Sequence, residues 1–483
     1  MSDDDGWHLP VGVPSGAVPS GGAPSGALLP GGAPPRSSSA AVPEDATPGV
    51  RSTDQAYRVR WVPNPPITAA IAAAVFLAGL ALVTARVEFA LVAAPLLVIA
   101  ALGHDPARGR AGVIRTRTGV RPEDNGRGVM VDVALRVPQV AEAVAVVATL
   151  ADGSTRRVLV TPSTAAALRG PVTVLHSGPQ AVVRLDLALI AQGGTAVTLP
   201  EEGPTLRAVV PPPRLRIEQL PMPHRLVGTT GTHESSSRGD GGEFRDLALF
   251  APGDRLRRID WRRTARRAQQ PGELYVRRTS STADAVVVIV LDDRDDVGPD
   301  VTRWSGTAGP ERSATSLDLA REAATTLASA YIGAGDRVGF RDLAGAVTGI
   351  EPRGGVRQLD RLRSATARAV PTSDTPGPVR APTVPAASLV VVLSTFLDDH
   401  PAAMAITWAA TGRRVVAVDV LPPLDRSDAD RQERVASRLV ELERRVRFDR
   451  MRAAGVEPIT WRTADGTPPA VAVRLLSRAR RRP

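Results

Sequence analysis

The sequence contains no cysteine and no lysine, so all 60 of its Lys-plus-Arg residues are arginine. Without cysteine the chain forms no disulfide, no thiolate nucleophile and no Cys-ligated zinc site. Without lysine it lacks the phosphate-binding residue of a Walker A loop, a Schiff base and the Lys–Glu pair of a protein kinase. We therefore do not expect this chain to hydrolyse ATP by itself.

Motifs of the common hydrolases are missing as well. The sequence has no GxSxG or HExxH pattern, and its histidines lack the spacing of a metal-binding cluster. The six histidines are His8, His104, His176, His224, His233 and His400. These absences predict a protein that is not an enzyme.

Acidic charge is outnumbered by basic charge, which gives a net charge of +10 and a sequence pI of about 11.1. A basic surface binds nucleic acid, acidic proteins or anionic lipid headgroups, and the cytoplasmic loops of membrane proteins are basic too. Aromatic residues make up only 3% of the chain, which leaves few rings to stack on bases. We therefore expect protein and lipid partners rather than nucleic acid.

The N-terminal part predicts a tail followed by a membrane anchor. Residues 1–60 are rich in Pro, Gly and Ser, a composition typical of a disordered tail. An uncharged apolar run extends from Ile67 to Ala85, and a shorter one extends from Phe89 to Leu102. The first run has the length of a membrane span. The second is short for a span, but bilayers adapt to a modest mismatch in length, so residues 61–106 predict two transmembrane helices. A buried helical hairpin of a soluble protein is the alternative, whereas the preceding tail disfavours a signal peptide.

Several arginines precede the first predicted span and several follow the second. The short connection between the spans contains one arginine, Arg86, and one acidic residue, Glu88. By the positive-inside rule both termini lie in the cytoplasm, and the chain belongs to the inner (plasma) membrane. The flanking residues are Arg51, Arg58 and Arg60 before the first span, and Arg108, Arg110, Arg115 and Arg117 after the second.

Two folded domains are predicted after the spans. Between residues 112 and 213, short Val- and Leu-rich runs alternate with turn signals, which predicts an all-β sandwich. Between residues 283 and 483, strands and helices alternate, which predicts a doubly wound α/β domain. Its predicted strands are Ala285–Leu291, Val338–Phe340, Ser388–Leu393, Arg414–Val420 and Pro458–Trp461. Its predicted helices are Ser316–Ile332, Gly354–Ala369, Asp399–Thr411, Asp428–Ala454 and Ala470–Arg480.

The most unusual stretch, Glu243 to Arg278, lies in the segment 228–280 between those domains and places acidic and basic side chains around one tryptophan. In one interpretation it is an internal brace, in which arginines bridge two carboxylates and Trp261 packs between sheet and loop. In the other it is an exposed platform, because Trp and Arg dominate interface hot spots. The residues concerned are Asp254, Arg257, Arg258, Asp260, Trp261, Arg262 and Arg266.

This stretch resembles the signature of a bacterial family called domain of unknown function 58. The matching residues are Phe250, Pro252-Gly253-Asp254, Arg257 or Arg258, Ile259-Asp260-Trp261-Arg262, Thr264-Ala265-Arg266 and Leu274-Tyr275-Val276-Arg277. The sequence departs from the family pattern at Arg255, where a second Asp is common, and at Arg278, where Glu or Gln is usual. The resemblance implies a von Willebrand factor A-like C-terminal domain. It also implies a MoxR-type AAA+ ATPase as partner, with a role in assembling or activating other complexes.

The resemblance raises the question of Mg²⁺, because metal-binding von Willebrand A domains use a D-x-S-x-S loop after their first strand. Asp292 stands at the first position of that loop, but Arg294 and Asp296 stand where the two serines would be. An arginine directed into the site opposes a cation, so we predict no bound Mg²⁺, with Asp292 and Ser394 as the remaining candidate ligands. We expect the Arg294 guanidinium to pair with Asp292; the alternative is a solvated acidic loop that only caps strand ends.

These features predict a membrane-anchored, cytosol-facing adaptor without enzymatic activity that recruits protein partners. One alternative is a metal-dependent enzyme at the acidic loop, with phosphoryl chemistry at Asp292, Asp295 and Asp296. The other is a nucleic-acid-binding module that uses the arginines between Arg262 and Arg267.

Overall fold

The computed structural model describes residues 51–102, 112–122, 128–138, 141–161, 165–191, 194, 196–198, 201–226, 233–252, 254, 256–270, 272–304, 313–344, 349–372 and 380–478. The predicted tail up to residue 50 lies outside these residues. The described residues fall into two compact units. The first unit holds those of Met1–Glu123, Gly128–Thr173 and Ala181–Arg207, and the second holds those of Val174–Gln180 and Ala208–Pro483.

The first unit is built on two sheets. One sheet contains, in spatial order, β1 (Arg51–Val59), β3 (Gly112–Pro122), β4 (Gly128–Arg136) and β7 (Ala165–Thr173), all paired antiparallel. The other contains β2 (Trp61–Pro63), β9 (Ala196–Thr198), β8 (Gly178–Ala191), β5 (Ala141–Leu150) and β6 (Thr155–Val160), with β10 (Glu201–Val210) also paired to β8. Alternate residues are buried along the strands, as Val129, Val131 and Val133 show in β4. Each sheet therefore directs one face to a core.

The first two strands correct the extent of the predicted tail. β1 lies within residues 1–60 but pairs along its whole length with β3, and β2 pairs with β9. The Pro-, Gly- and Ser-rich composition ends before Arg51, and Tyr57 and Val59 have the side-chain types that strands favour. The segment is short, so its structure depends on partner strands distant in sequence, which local composition does not reveal.

Two apolar helices follow β2, namely α1 (Pro65–Thr84) and α2 (Val87–Leu102). α1 is long and apolar enough to cross a membrane, with a mean hydropathy of 2.4 over 18 residues, of which only 6% are buried. α2 is apolar over Val87–Val98, and among the described helices only α1 is both long and apolar enough to be a candidate span. The structure therefore supplies one candidate span by length and composition.

The second unit begins with a hairpin that carries the signature. β11 (His233–Leu249) and β12 (Tyr275–Ala283) pair antiparallel, with register shifts along β11. The connection between them contains a 3-10 turn (Leu256–Arg258) and the short helix α3 (Trp261–Arg267).

A six-stranded sheet forms the rest of this unit. Its strands are β13 (Val286–Leu291), β14 (Arg337–Asp342), β15 (Ile350–Arg353), β16 (Leu389–Ser394), β17 (Arg414–Asp419) and β18 (Glu457–Thr460). The spatial order is β15-β14-β13-β16-β17-β18, parallel except for the antiparallel β15. Counted from β13, this is the order 3-2-1-4-5-6 of doubly wound sheets, whose ligand crevice lies at the carboxyl ends of strands 1 and 4. Here those ends belong to β13 and β16.

Helices cover both faces of this sheet. They are α4 (Ser316–Gly333), α5 (Val356–Arg368), α6 (His400–Ala410), α7 (Arg431–Ala453) and α8 (Pro469–Arg478). Val287 and Ile289 of β13 pack in one core with α4, α5 and α8, whereas Val288 and Val290 pack in a second core with α6 and α7. The central strand is buried on both faces, which explains its unbroken apolar sequence.

Every strand and helix predicted between residues 283 and 483 has a counterpart within a few residues. β15 is an addition that the sequence pattern does not reveal. Thr315 is the N-cap of α4 and forms a capping box with Asp318.

Candidate functional site

The signature is held in place by a few buried or hydrogen-bonded residues. Ile259 is buried and forms a bridge to Val276 of β12. The Asp260 carboxylate accepts a hydrogen bond from the Arg263 N–H at 2.9 Å and so caps α3. Thr264 accepts one from the Tyr275 N–H through its hydroxyl, also at 2.9 Å. These contacts fix the short helix against the strand that follows it.

Trp261 lies at the start of α3 and points outward, with 66% of its surface exposed. This corrects the brace interpretation, in which Trp261 packs between sheet and loop. The reason is geometric: Asp260 must lie at the N-cap, and Ile259 then takes the buried position, so the next side chain faces solvent. Leu256 is also exposed, at 68%.

The charged residues of the signature divide into two groups. Asp254 and Asp260 are half-buried and bind backbone N–H groups, Asp254 accepting from Ala251 at 3.0 Å. Most of the arginines lie at the surface. Arg258 is half-buried, and the exposed ones are Arg257, Arg262, Arg263, Arg266 and Arg267. The carboxylates thus shape the loop, while the arginines surround Trp261 along the chain with positive charge.

A second cluster lies at the carboxyl ends of β13 and β16. The Arg294 guanidinium donates to Asp292 Oδ1 from Nε at 2.8 Å and to Asp292 Oδ2 from Nη2 at 3.1 Å. It also donates to both carboxylate oxygens of Asp398, at 2.8 and 3.1 Å. The Ser394 hydroxyl donates to Asp292 Oδ2 at 2.6 Å. The predicted pairing of Arg294 with Asp292 is therefore present, and Asp398 completes it.

The charges in this cluster compensate one another. Burial alone would lower the pKa of Arg294, but its hydrogen bonds to Asp292 and Asp398 outweigh burial and raise that pKa above its ordinary value. Arg294 therefore stays charged at every physiological pH and balances the buried Asp292.

This arrangement does not fit a bound Mg²⁺. A cation needs free oxygen lone pairs, whereas both oxygens of Asp292 already accept hydrogen bonds from Arg294 or Ser394. A cation there would also meet the guanidinium. In the part of the chain that the structure describes, no group of three or more acidic or histidine residues is placed to hold a metal.

The other acidic residues of the loop have separate environments. Asp296 accepts a hydrogen bond from the Leu317 N–H in the first turn of α4, at 3.1 Å. Burial, followed by repulsion from Asp292, raises the pKa of Asp295. Burial and repulsion from Asp342 raise the pKa of Asp293 to about 8. Both carboxyl oxygens of Asp293 are buried without a hydrogen-bond partner among the described residues, so the protonated form of Asp293 is favoured at neutral pH.

A neighbouring ion pair was not predicted. Arg444 of α7 donates to Asp419 at 2.6 Å, at the end of β17, and to the Thr395 carbonyl at 2.9 Å. Its guanidinium also lies over the Phe448 ring, 5.4 Å from the centroid. Asp398 was missed too, although a carboxylate in the loop that follows a buried strand is a recognisable signal. Arg444 carries no such signal, because α7 is rich in arginine throughout.

Comparison with known proteins identifies one family. Residues 246–450 match the family described as Protein of unknown function DUF58. No match was found among curated proteins. The matched segment includes both Trp261 and the Arg294 cluster, so the predicted resemblance is confirmed over this range. The chain is therefore similar to this family over residues 246–450.

Proposed function

We propose that this chain is a non-enzymatic adaptor that recruits a protein partner through the signature, using the exposed Trp261 and the arginines beside it. The observation that carries the proposal is the exposure of Trp261 on a fixed frame. A large aromatic ring exposed over 66% of its surface has no role in the core of its own domain. Held by Ile259 and Asp260, it is already positioned to bind at a small entropic cost.

The composition around Trp261 supports a protein partner. Tryptophan and arginine are the residues most enriched among interface hot spots, and here Arg262 follows Trp261 directly. The Arg294 cluster supports the absence of metal-dependent chemistry, because Arg294 occupies the oxygens that a cation would need. Both features favour recruitment over catalysis.

The wider setting forms part of the same proposal. Two membrane spans over residues 61–106 would anchor the chain in the inner membrane with both termini in the cytoplasm. Residues 112–213 would form a sandwich, and residues 283–483 a von Willebrand A-like domain, which the mostly parallel six-stranded sheet supports. The partner is an acidic protein surface, for which a MoxR-type AAA+ ATPase is the first candidate.

The test is a pull-down of tagged full-length chain from detergent-solubilised membranes treated with nuclease. We expect Trp261→Ala combined with Arg262→Ala to lose a protein that the unchanged chain retains. Removing one hot-spot residue costs 2 kcal/mol or more, which corresponds to roughly thirtyfold in affinity. Nuclease treatment excludes capture through bound nucleic acid.

The matched control is Val356→Ala combined with Arg357→Ala. These residues are also an exposed apolar side chain followed by an exposed arginine at the first two positions of a helix, in this case α5. We expect the control to retain the partner. Equal loss in both variants, or no loss in either while thermal unfolding is unchanged, would exclude the signature as the binding surface.

A further inference from the structure

The outward face of α7 carries a row of apolar side chains. Val435, Leu439, Leu442 and Val446 are 59%, 57%, 55% and 50% exposed. Their spacing alternates between four and three residues, as at the core positions of a heptad repeat. At about 100° per residue the row covers an arc of roughly 60° and runs for about 17 Å along the axis. We call it the α7 row.

The α7 row lies opposite the face that packs against the sheet. The buried residues of α7 are Ser437, Arg444 and Met451, which recur every seven residues. On a helical wheel they centre about 180° from the α7 row. The helix therefore presents one stripe to the core and a second stripe away from it, and the packing among the described residues of the domain does not account for the second.

The width of the α7 row indicates what covers it. A helix that lies on a membrane surface buries a broad apolar face, commonly a third or more of its circumference. A strip restricted to alternating four- and three-residue spacing is narrower and matches the seam between two paired helices. The geometry therefore favours a partner α-helix over a lipid surface.

The charge beside the row indicates the chemistry of that helix. Along one flank an exposed arginine recurs every seven residues, at Arg431, Arg438, Arg445 and Arg452. In a heptad-based pair this flank faces the flanking positions of the other helix, where ion pairs set the choice of partner. A row of arginines favours acidic residues there and disfavours basic ones.

A second copy of this chain fits the flank poorly. An antiparallel pair of α7 helices would place the arginine flank against itself. A parallel pair would match Arg438 with Glu443 of the other copy, but it would also match Arg445 with Arg450. The attraction of the first pair is offset by the repulsion of the second.

We propose that the α7 row is a docking site for an amphipathic α-helix of a partner protein, one with a heptad-spaced apolar seam and acidic flanking residues. This inference rests on the adaptor function proposed above and adds a second contact surface to it. The row is short, so the contact by itself is weak, and it gains strength when Trp261 binds the same partner.

The probe for the test is a synthetic helical peptide of about four heptads, with Leu at the core positions and Glu at both flanks. The Glu residues also prevent the peptide from pairing with itself at neutral pH. Binding to the full-length chain in nanodiscs of zwitterionic lipid is measured with a fluorophore on Ala436→Cys. This exposed position lies beside the row, and the chain has no other cysteine. A peptide with Arg at the flanks is the comparison.

We expect the acidic peptide to bind at least tenfold more tightly than the basic one, with affinity that falls as salt rises. Leu439→Ala combined with Leu442→Ala should weaken binding about tenfold or more, because each change removes apolar surface that the bound peptide would bury. Val471→Ala combined with Leu475→Ala removes similar exposed surface from α8 and should have no effect. Arg438→Glu combined with Arg445→Glu should reverse the preference between the two peptides.

Four results would overturn the proposal: no binding, equal binding of both peptides, full binding by the Leu439→Ala, Leu442→Ala variant, or unchanged preference after charge reversal. A fluorescence shift in anionic nanodiscs without peptide would assign the row to lipid. A dimer in sedimentation that the leucine variant dissociates would assign it to a second copy. None of these results changes the expected outcome of the Trp261 pull-down. Failure of the α7 proposal can therefore be told apart from failure of the adaptor proposal.

Discussion

Arg294 is the residue on which the strand-end cluster depends. It binds Asp292, whose side chain is 4% exposed, so removing the guanidinium leaves a buried carboxylate without its countercharge. We expect Arg294→Met to lower the free energy of unfolding by about 3–5 kcal/mol, the range measured for breaking buried ion pairs. Urea unfolding of the detergent-solubilised chain measures this loss.

Arg303 provides a matched control, because it pairs with Asp300 near the surface, with side chains 32% and 29% exposed. Arg303→Met should cost less than about 1 kcal/mol. Adding Asp292→Asn to Arg294→Met should recover part of the loss, since it removes the buried charge. A cost below about 1 kcal/mol for Arg294→Met itself would show that the cluster does not stabilise the fold.

Asp293 predicts a dependence of stability on pH. Its side chain is fully buried, and the folded-state pKa of about 8 lies above the unfolded value of 3.8. Below about pH 4 both states hold the proton, so the contribution to stability is fully present. Between about pH 4 and pH 8 only the unfolded state ionises, so stability is lost as pH rises, by about 1.4 kcal/mol at most for each pH unit.

The variant Asp293→Asn cannot ionise, and its amide is close in size and shape to the protonated carboxyl. We expect its free energy of unfolding to change less than that of the unchanged chain between pH 5 and pH 8, which chemical unfolding at both pH values measures. Other buried carboxyls such as Asp419 also have raised pKa values, so the difference between the two proteins is the relevant quantity. Parallel pH profiles would contradict the assignment.

The sequence predicts some of these contacts but not others. Arg294 and Asp292 are separated by one residue after a buried strand, and that proximity made their pairing predictable. Arg444 lies far along the chain from Asp419, and nothing local distinguishes it from the other arginines of α7. Trp261 was ambiguous for another reason, since tryptophan is common both in cores and at interfaces. Only the positions of Ile259 and Asp260 decide which way it points.

The short helix α3 depends on its N-cap. It spans only Trp261–Arg267, and helices of this length are not stable by themselves. We expect Asp260→Ala to cost about 1 kcal/mol and to speed hydrogen exchange of the α3 amides. Loss of the cap also loosens the frame of Trp261, so the pull-down should weaken although Trp261 itself is unchanged.

Asp260→Asn is the matching conservative change, because asparagine caps helices about as well as aspartate. It should keep both the slow exchange of α3 and the partner. Asp430→Ala removes the corresponding cap from α7 and should leave the exchange of α3 unchanged. If Asp260→Asn is as damaging as Asp260→Ala, the negative charge rather than the cap is what the partner or loop requires.

The elements were predictable where local sequence determines them. β13 and β16 are unbroken apolar runs because both faces are buried, and α4 and α7 begin at residues with clear capping side chains. β1, β2 and β15 are different. β1 and β2 obtain their partners only from strands beyond the apolar helices, and β15 is a short edge strand with alternating exposure. Such strands form through pairing, which single-sequence patterns do not report.

The order of strands and helices in the first unit limits how many times the chain can cross a membrane. α1 and α2 are inserted between β2 and β3, so the strands before and after the helices belong to one folded unit. Strands that share a sheet lie on the same side of a bilayer. If the helices cross a membrane, they must therefore cross it an even number of times between β1 and β3. A single span by α1 alone is incompatible with the pairing of β1 and β3.

This argument predicts the accessibility of single cysteines, which the cysteine-free chain makes simple to measure. Arg86→Cys lies between α1 and α2, and Ala453→Cys lies at the end of α7; both positions are exposed. With two spans and cytoplasmic termini, a membrane-impermeant maleimide added to intact cells should label Arg86→Cys only. After the membrane is permeabilised, it should label both. Labelling of Ala453→Cys in intact cells would place the second unit outside, and labelling of neither would indicate that the helices do not cross.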